Sequence, residues 1–153
     1  HDQVERPLRP GVDADRGPRA GRAPTGRAGA APRNDPRHEL GRLGEDLAAR
    51  HLELAGYALL DRNWRCPLGE LDLVARQGSE LIVAEVKTRA GTGWGHPFEA
   101  ITYAKLARLR RLAGAWCEAH PLDCEGLLLR IDAIAVIAPR GAAATVEHLR
   151  GIG

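Results

Sequence analysis

The chain has 153 residues, 44% of them apolar and 4% aromatic, enough for one domain whose core must be filled by Leu, Val, Ile and Ala. Two lysines and 20 arginines stand against 20 acids, and a formal charge of +2 excludes a histone-like polycation; nucleic-acid contact has to come from a local patch. No run approaches the roughly 18 apolar residues of a membrane-spanning helix, and His1-Asp2-Gln3 lacks the basic-then-apolar design of a signal peptide.

Residues 1–36 hold six of the ten prolines, five glycines and seven arginines, with only Val4, Leu8 and Val12 as large apolar side chains. Such a stretch cannot bury enough surface to offset the entropy of ordering, so a disordered tail is expected ahead of a folded domain over 37–153. From Arg37 the pattern turns regular. Leu40, Leu43, Leu47, His51 and Leu54 fall on one side of a 3.6-residue wheel, with Gly44, Ala48 and Ala55 extending the arc, and Gly56 stops this helix. Tyr57–Trp64 reads as a strand. Glu70–Arg76 and Leu81–Thr88, separated by Gln77-Gly78-Ser79-Glu80, read as a β-hairpin. Gly91–Pro97 is a loop in which Trp94 either stacks on a base or packs locally. Phe98–His120 is a second long helix, apolar at Ile101, Leu106, Leu109, Ala113 and Trp116. Leu128–Ala138, apolar almost throughout, is a strand buried on both faces, and a weaker strand follows near Ala144–Leu149. Cys66, Cys117 and Cys124 are odd in number and form no C-x-x-C, which argues against a disulfide scaffold or a cysteine zinc site and fits a reducing cytoplasm.

The hairpin carries the chemistry. Side chains alternate across a strand, so Glu70 and Asp72 share one face of their strand, and Glu85 and Lys87 share a face of theirs. A two-residue Gly78-Ser79 turn of type II′ pairs Gln77 with Glu80. Counting back puts Asp72 opposite Glu85 and Glu70 opposite Lys87, with facing Cβ atoms about 4.5–5.5 Å apart. Adjacent carboxylates repel, so one is protonated, a cation bridges them, or the register slips. Mg²⁺ (or Mn²⁺) suits such hard oxygen ligands, keeping its other positions for waters and phosphate oxygens. A lysine beside it can orient a water or neutralise charge on a phosphate. The plainer alternative is a solvent-facing sheet edge with a Glu70–Lys87 salt bridge.

Taken in order, Gly44-Glu45, Gly69-Glu70-Leu71-Asp72-Leu73-Val74 and Glu85-Val86-Lys87-Thr88-Arg89 resemble the YraN-like family of uncharacterised bacterial proteins. Glu99-Ala100-Ile101-Thr102, Lys105, Arg108-Leu109 and Arg130-Ile131-Asp132 extend the resemblance, which runs from Glu39 to Ile137. That family lies in the PD-(D/E)xK nuclease superfamily and is similar to archaeal Holliday-junction resolvases. The resemblance implies an α/β, restriction-endonuclease-like fold of αβββαβ order, a core of four strands in a mixed sheet flanked by helices. It also implies roles: Asp72 and Glu85 as metal-binding acids, Lys87 as the motif lysine, and Glu45 as a further acid on the first helix. Leu71 stands where the superfamily's name has proline.

Val83-Ala84-Glu85-Val86-Lys87 lacks the other kinase motifs, and Gly91-Thr92-Gly93-Trp94-Gly95 is not a dinucleotide loop. Lys105, Arg108 and Arg111 form a basic stripe on the second helix that either follows a phosphate backbone or is simply solvated. Arg62, Arg65 and Arg89 are further candidate phosphate contacts. Asp132, in an apolar strand, needs a partner, and Arg130 on the same face is the natural one. The expected function is a metal-dependent endonuclease acting on DNA, branched or junction DNA among the candidates, as a homodimer if it cuts two-fold junctions. A non-catalytic nucleic-acid-binding module with the same fold is the alternative.

Overall fold

Asp35 and Pro36 open the domain rather than close the tail. In the computed structural model, which describes residues 35–91, 93 and 95–153, the Asp35 carboxylate accepts the Arg37 N–H at 3.0 Å and Pro36 is the first helical residue. An acceptor at the N-cap and proline at the first position both suit unpaired helix N–H groups. Residues 1–34, Thr92 and Trp94 lie outside the described residues, and with them the expected tail and the stacking role.

The first helix, α1 (Pro36–Leu54), ends at Ala55 and Gly56, the latter with φ 88°. The hairpin arrives as β1 (Ala58–Cys66), β2 (Gly69–Gln77) and β3 (Glu80–Arg89). Gln77 pairs with Glu80 across Gly78 (φ 58°) and Ser79, whose φ is not positive, the sign pattern of a II′ turn. The predicted second helix is split. Pro97–Ala100 forms a 3-10 turn, Ile101 and Thr102 are extended, and α2 (Tyr103–Ala119) starts where the Thr102 hydroxyl accepts the Lys105 N–H at 3.2 Å. A good N-cap outcompetes apolar periodicity there. After α3 (Pro121–Cys124) come β4 (Leu128–Ile137) and β5 (Thr145–Leu149).

The sheet has five strands, the implied four and the weaker one expected after them, in the order β1-β2-β3-β4-β5, with β3 and β4 parallel and the other pairs antiparallel. It is a mixed α/β sheet flanked by helices, consistent with a restriction-endonuclease-like core. α1 covers one face, where Ala48, Ala49 and Leu52 meet Leu73, Ile82, Ala84 and Ile134. α2 covers the other, where Leu109, Leu112, Ala113 and Trp116 meet Val74, Leu81, Val83 and Ile131. The buried side of α1 is therefore Gly44, Ala48, Ala49 and Leu52, mostly small residues, while Leu43 and Leu54, expected in the apolar arc, are exposed.

Small residues let α1 approach closely. A Cβ added at Gly44 would stand 2.7 Å from the Thr88 Cβ and closer still to its hydroxyl oxygen. Gly44→Ala is expected to cost about 1–3 kcal/mol in chemical denaturation through overpacking. Gly41→Ala, with open space around it, should stabilise by about 0.5–1 kcal/mol from helix propensity. Equal effects at the two positions would refute the close approach.

Cys117 and Cys124 are joined by a disulfide across the corner from α2 to α3, where Pro121 turns the chain back. The cysteine count is a poor guide because this corner, not a motif, brings them together. It is a single clip rather than a scaffold, and it removes the cysteine argument for a reducing compartment. Among the described residues, no helix is long and apolar enough to cross a membrane.

Candidate functional site

The β2–β3 ladder follows the expected register from Gln77↔Glu80 to Leu73↔Ala84 and then stops. One step further on, the side chain of Asp72 replaces a backbone partner, its Oδ2 accepting the Val86 N–H at 2.9 Å. The two strands diverge at this fork, and Asp72 and Glu85 sit in it. Neither strand is an edge of the sheet, and Glu85 is 8% exposed, so the solvent-facing reading is wrong. So is the Glu70–Lys87 pair. Glu70 lies 3.5 Å from Arg65 on β1, and the Lys87 ammonium lies 3.1 Å from Glu85 Oε1. The fork separates the residues that a continued ladder would have set opposite each other.

Lys105 belongs here too. Its Nζ stands 3.0 Å from the same Glu85 Oε1, so α2 contributes a second lysine to the acid cluster. Arg108 packs against Gly69 and joins Glu70, Asp72, Glu85 and Lys105 around a cleft of about 170 Å³. The stripe on α2 thus divides: Lys105 and Arg108 serve the cluster, while Arg111 is exposed a turn further on. Arg62 forms an ion pair with Asp46 of α1, and Arg89, half-buried, lines a groove with Lys87 and Glu45.

Charge is crowded at the fork. Burial, the Glu85 carboxylate and, more weakly, Glu45 and Glu70 push the Asp72 carboxyl up to about 7, against the pull of the Val86 N–H. Burial and the neighbouring Lys105 hold Lys87 below the usual lysine value despite Glu85. Lys105 is also penalised by burial, but its bonds to Lys87 and Glu85 outweigh that and raise it. Of the two lysines, Lys87 gives up its proton first. Glu45, half-buried on α1, is near enough for its charge to act on Asp72, on a helix that Gly44 lets close on Thr88.

A divalent cation fits this donor set. Asp72 is a half-buried oxygen donor ringed by like charges, and both close ammonium contacts go to Glu85, which leaves the Val86 N–H and the more distant Lys105 to offset its charge. Mg²⁺ or Mn²⁺ needs only one or two carboxylates and completes its shell with water. Among the described residues, no three histidine, cysteine or carboxylate side chains are grouped so as to hold a metal ion, so two carboxylates are the most this fork would supply.

Away from the fork, Asp132 is fully buried on β4. It accepts from Arg130 Nε and Nη2, both at 2.9 Å, from His148 Nε2 at 2.7 Å and from the Gly151 N–H at 3.0 Å. Arg130 is the partner expected from the sequence. His148 also contacts His51 of α1 (3.1 Å), and Arg130 donates to the Tyr57 hydroxyl (2.7 Å), tying α1, β4, β5 and the C-terminal segment together. The histidines are 97 residues apart, and no local pattern links them.

The chain is 55% identical over 115 residues to a UPF0102 protein of Renibacterium salmoninarum, covering 75% of this chain and 96% of that one. It is 53% identical over 116 residues to one from an Arthrobacter species (74% and 95%) and 54% identical over 114 residues to one from Beutenbergia cavernae (74% and 95%). Residues 44–136, from the glycine under Thr88 through β4, match the model of the family described as "Uncharacterised protein family UPF0102", and the chain belongs to that family.

Proposed function

We propose that this protein is a metal-dependent phosphodiesterase that cuts DNA. The observation that carries the reading is the fork, where two acids on adjacent strands, Asp72 and Glu85, converge beside Lys87 and Lys105. Repulsion between carboxylates costs stability, and a purely structural sheet gains nothing from it. Asp72 and Glu85 would hold Mg²⁺ or Mn²⁺, with Glu45 on the α1 side. When bound, the ion supplies Lewis acidity and lowers the pKa of a coordinated water. Lys87, the lysine with the lower proton affinity, would take that water's proton or steady it for attack. Lys105 and Arg108, from the opposite element, face the negative charge that develops on the phosphate. Glu85 Oε1, held here by both ammonium groups, would serve as a ligand only once they release it.

A non-catalytic module is the second reading, favoured by the salt bridges that already satisfy Glu85. A cleavage screen over linear, flapped and four-way DNA separates the two. Nicked or cut product in Mg²⁺ or Mn²⁺, and none in EDTA, is the expected result. Intact DNA throughout, with no heat on titration of either ion, would leave only the module.

A further inference from the structure

We propose that the DNA strand crosses α1 at Gly41, with Arg37, Arg42 and Arg65 holding phosphates on one side of the crossing and Arg89 on the other; this rests on the nuclease reading above. Two grooves flank the N-terminal half of α1. One, of about 710 Å³, is lined by Arg37, His38, Arg42, Asn63 and Arg65. The other, of about 550 Å³, is lined by Val86, Lys87, Thr88, Arg89 and Ala90 along the end of β3. Arg37, Gly41 and Glu45 line both. At the crest between them Gly41 presents bare backbone, since a Cβ there would meet nothing within 4 Å.

The first groove leads to the fork, because Glu45 and Glu70 line it as well. Its three arginines stand against three acids, Asp35, Glu45 and Glu70, so the placement of the guanidinium groups, not a net charge, is what suits it to an anionic chain. Asp35 is occupied as the cap of α1 and Glu70 lies beside Arg65. Arg37 and Arg42 have exposed side chains, and neither makes an ion pair among the described residues. Guanidinium groups spaced along a groove hold phosphates without reading sequence. The described lining residues include no Phe, Tyr or Trp, and His38 is the one ring on which a base could stack, so the sugar–phosphate chain is what most of this surface fits. α2 offers a shorter contact, since its Lys105 and Arg108 are drawn into the acid cluster.

The test is binding of a fluorescein-labelled DNA duplex of about two helical turns, followed by anisotropy in EDTA over a series of salt concentrations. Arg37→Ala combined with Arg42→Ala should weaken affinity at least tenfold and reduce the log–log salt slope by about 0.9 for each phosphate no longer held. Gly41→Gln should weaken binding similarly while melting no lower than wild type, because the larger side chain blocks the crest without touching the core. Variants that bind as tightly as wild type and with the same slope would overturn the crossing, whether or not the protein cuts. The two proposals fail separately. DNA that binds across α1 but is never cut in Mg²⁺ or Mn²⁺ refutes the hydrolase and leaves the crossing standing.

Discussion

Asp72→Asn should abolish both divalent-ion binding in calorimetry and DNA cleavage, while making the metal-free protein more stable at about pH 8. The amide keeps an oxygen that can accept the Val86 N–H and removes one of the crowded negative charges. In the native protein the Asp72 carboxyl is held near 7, against 3.8 as its ordinary value. Between those limits the folded state binds a proton that the unfolded state has released, so metal-free stability falls as pH rises from about 4 to about 7. The substitution should flatten that slope. We expect a gain of about 1–2 kcal/mol at about pH 8, and none at about pH 5, where the wild-type carboxyl is already protonated. Affinity for Mg²⁺ in the wild type should rise over the same interval, since the ion requires the carboxylate. Lys87→Ala is the companion experiment. It should keep the ion but lose turnover by about 10²–10⁴-fold, the range of a lost general base. An Asp72→Asn protein that still cuts DNA in Mg²⁺ at the wild-type rate would end the nuclease proposal.

The second large effect lies on the other face of the sheet. Asp132→Asn should destabilise the domain by about 3–5 kcal/mol, because it removes a fully buried anion and strips the half-buried Arg130 and His148 of their shared partner. For a domain of this size that is a fall in Tm of roughly 10–20 °C. Although burial penalises its charge, the bonds from His148, Arg130 and Gly151 hold the Asp132 carboxyl down at about 2. A depressed acid stabilises fully above its unfolded value and progressively less as pH falls from about 4 towards 2. Acid unfolding should therefore lose this steepness in the variant. A variant as stable as wild type by urea denaturation would show that the network carries no net stability.

The order of elements, the hairpin register and the grouping of Glu85 with Lys87 are legible in the sequence because strand alternation and a two-residue turn are local rules. Where the ladder stops is not, since Leu73↔Ala84 is followed by a side chain taking a backbone partner, and no pattern in sequence marks that exchange. Lys105 reads as part of a stripe because helical periodicity gives its face but not what that face meets. Arg37 and Arg42 do not stand out in the sequence because they sit among other surface arginines. Only the packing of α1 on β3 through Gly44 and Thr88 turns their helix towards the fork. The His51–His148 contact and the Cys117–Cys124 bond depend on chain reversals that short windows do not see.

The bend in β1 bears on how this protein avoids its own kind. β1 is an outer strand of the sheet, and an outer strand with free N–H and C=O groups invites another chain to add to it. Its pairing with β2 shifts between Leu59 and Asp61, and Asn63 sits at φ 51°, so the outward row of backbone groups is broken twice within five residues. Asp61, turned by the shift, is fastened to the indole of Trp116 at 2.9 Å, which anchors the irregularity in the core. An incoming strand would find no straight run to copy. Stacking through this edge into fibrils is thereby disfavoured, even where the chain is crowded or partly unfolded elsewhere.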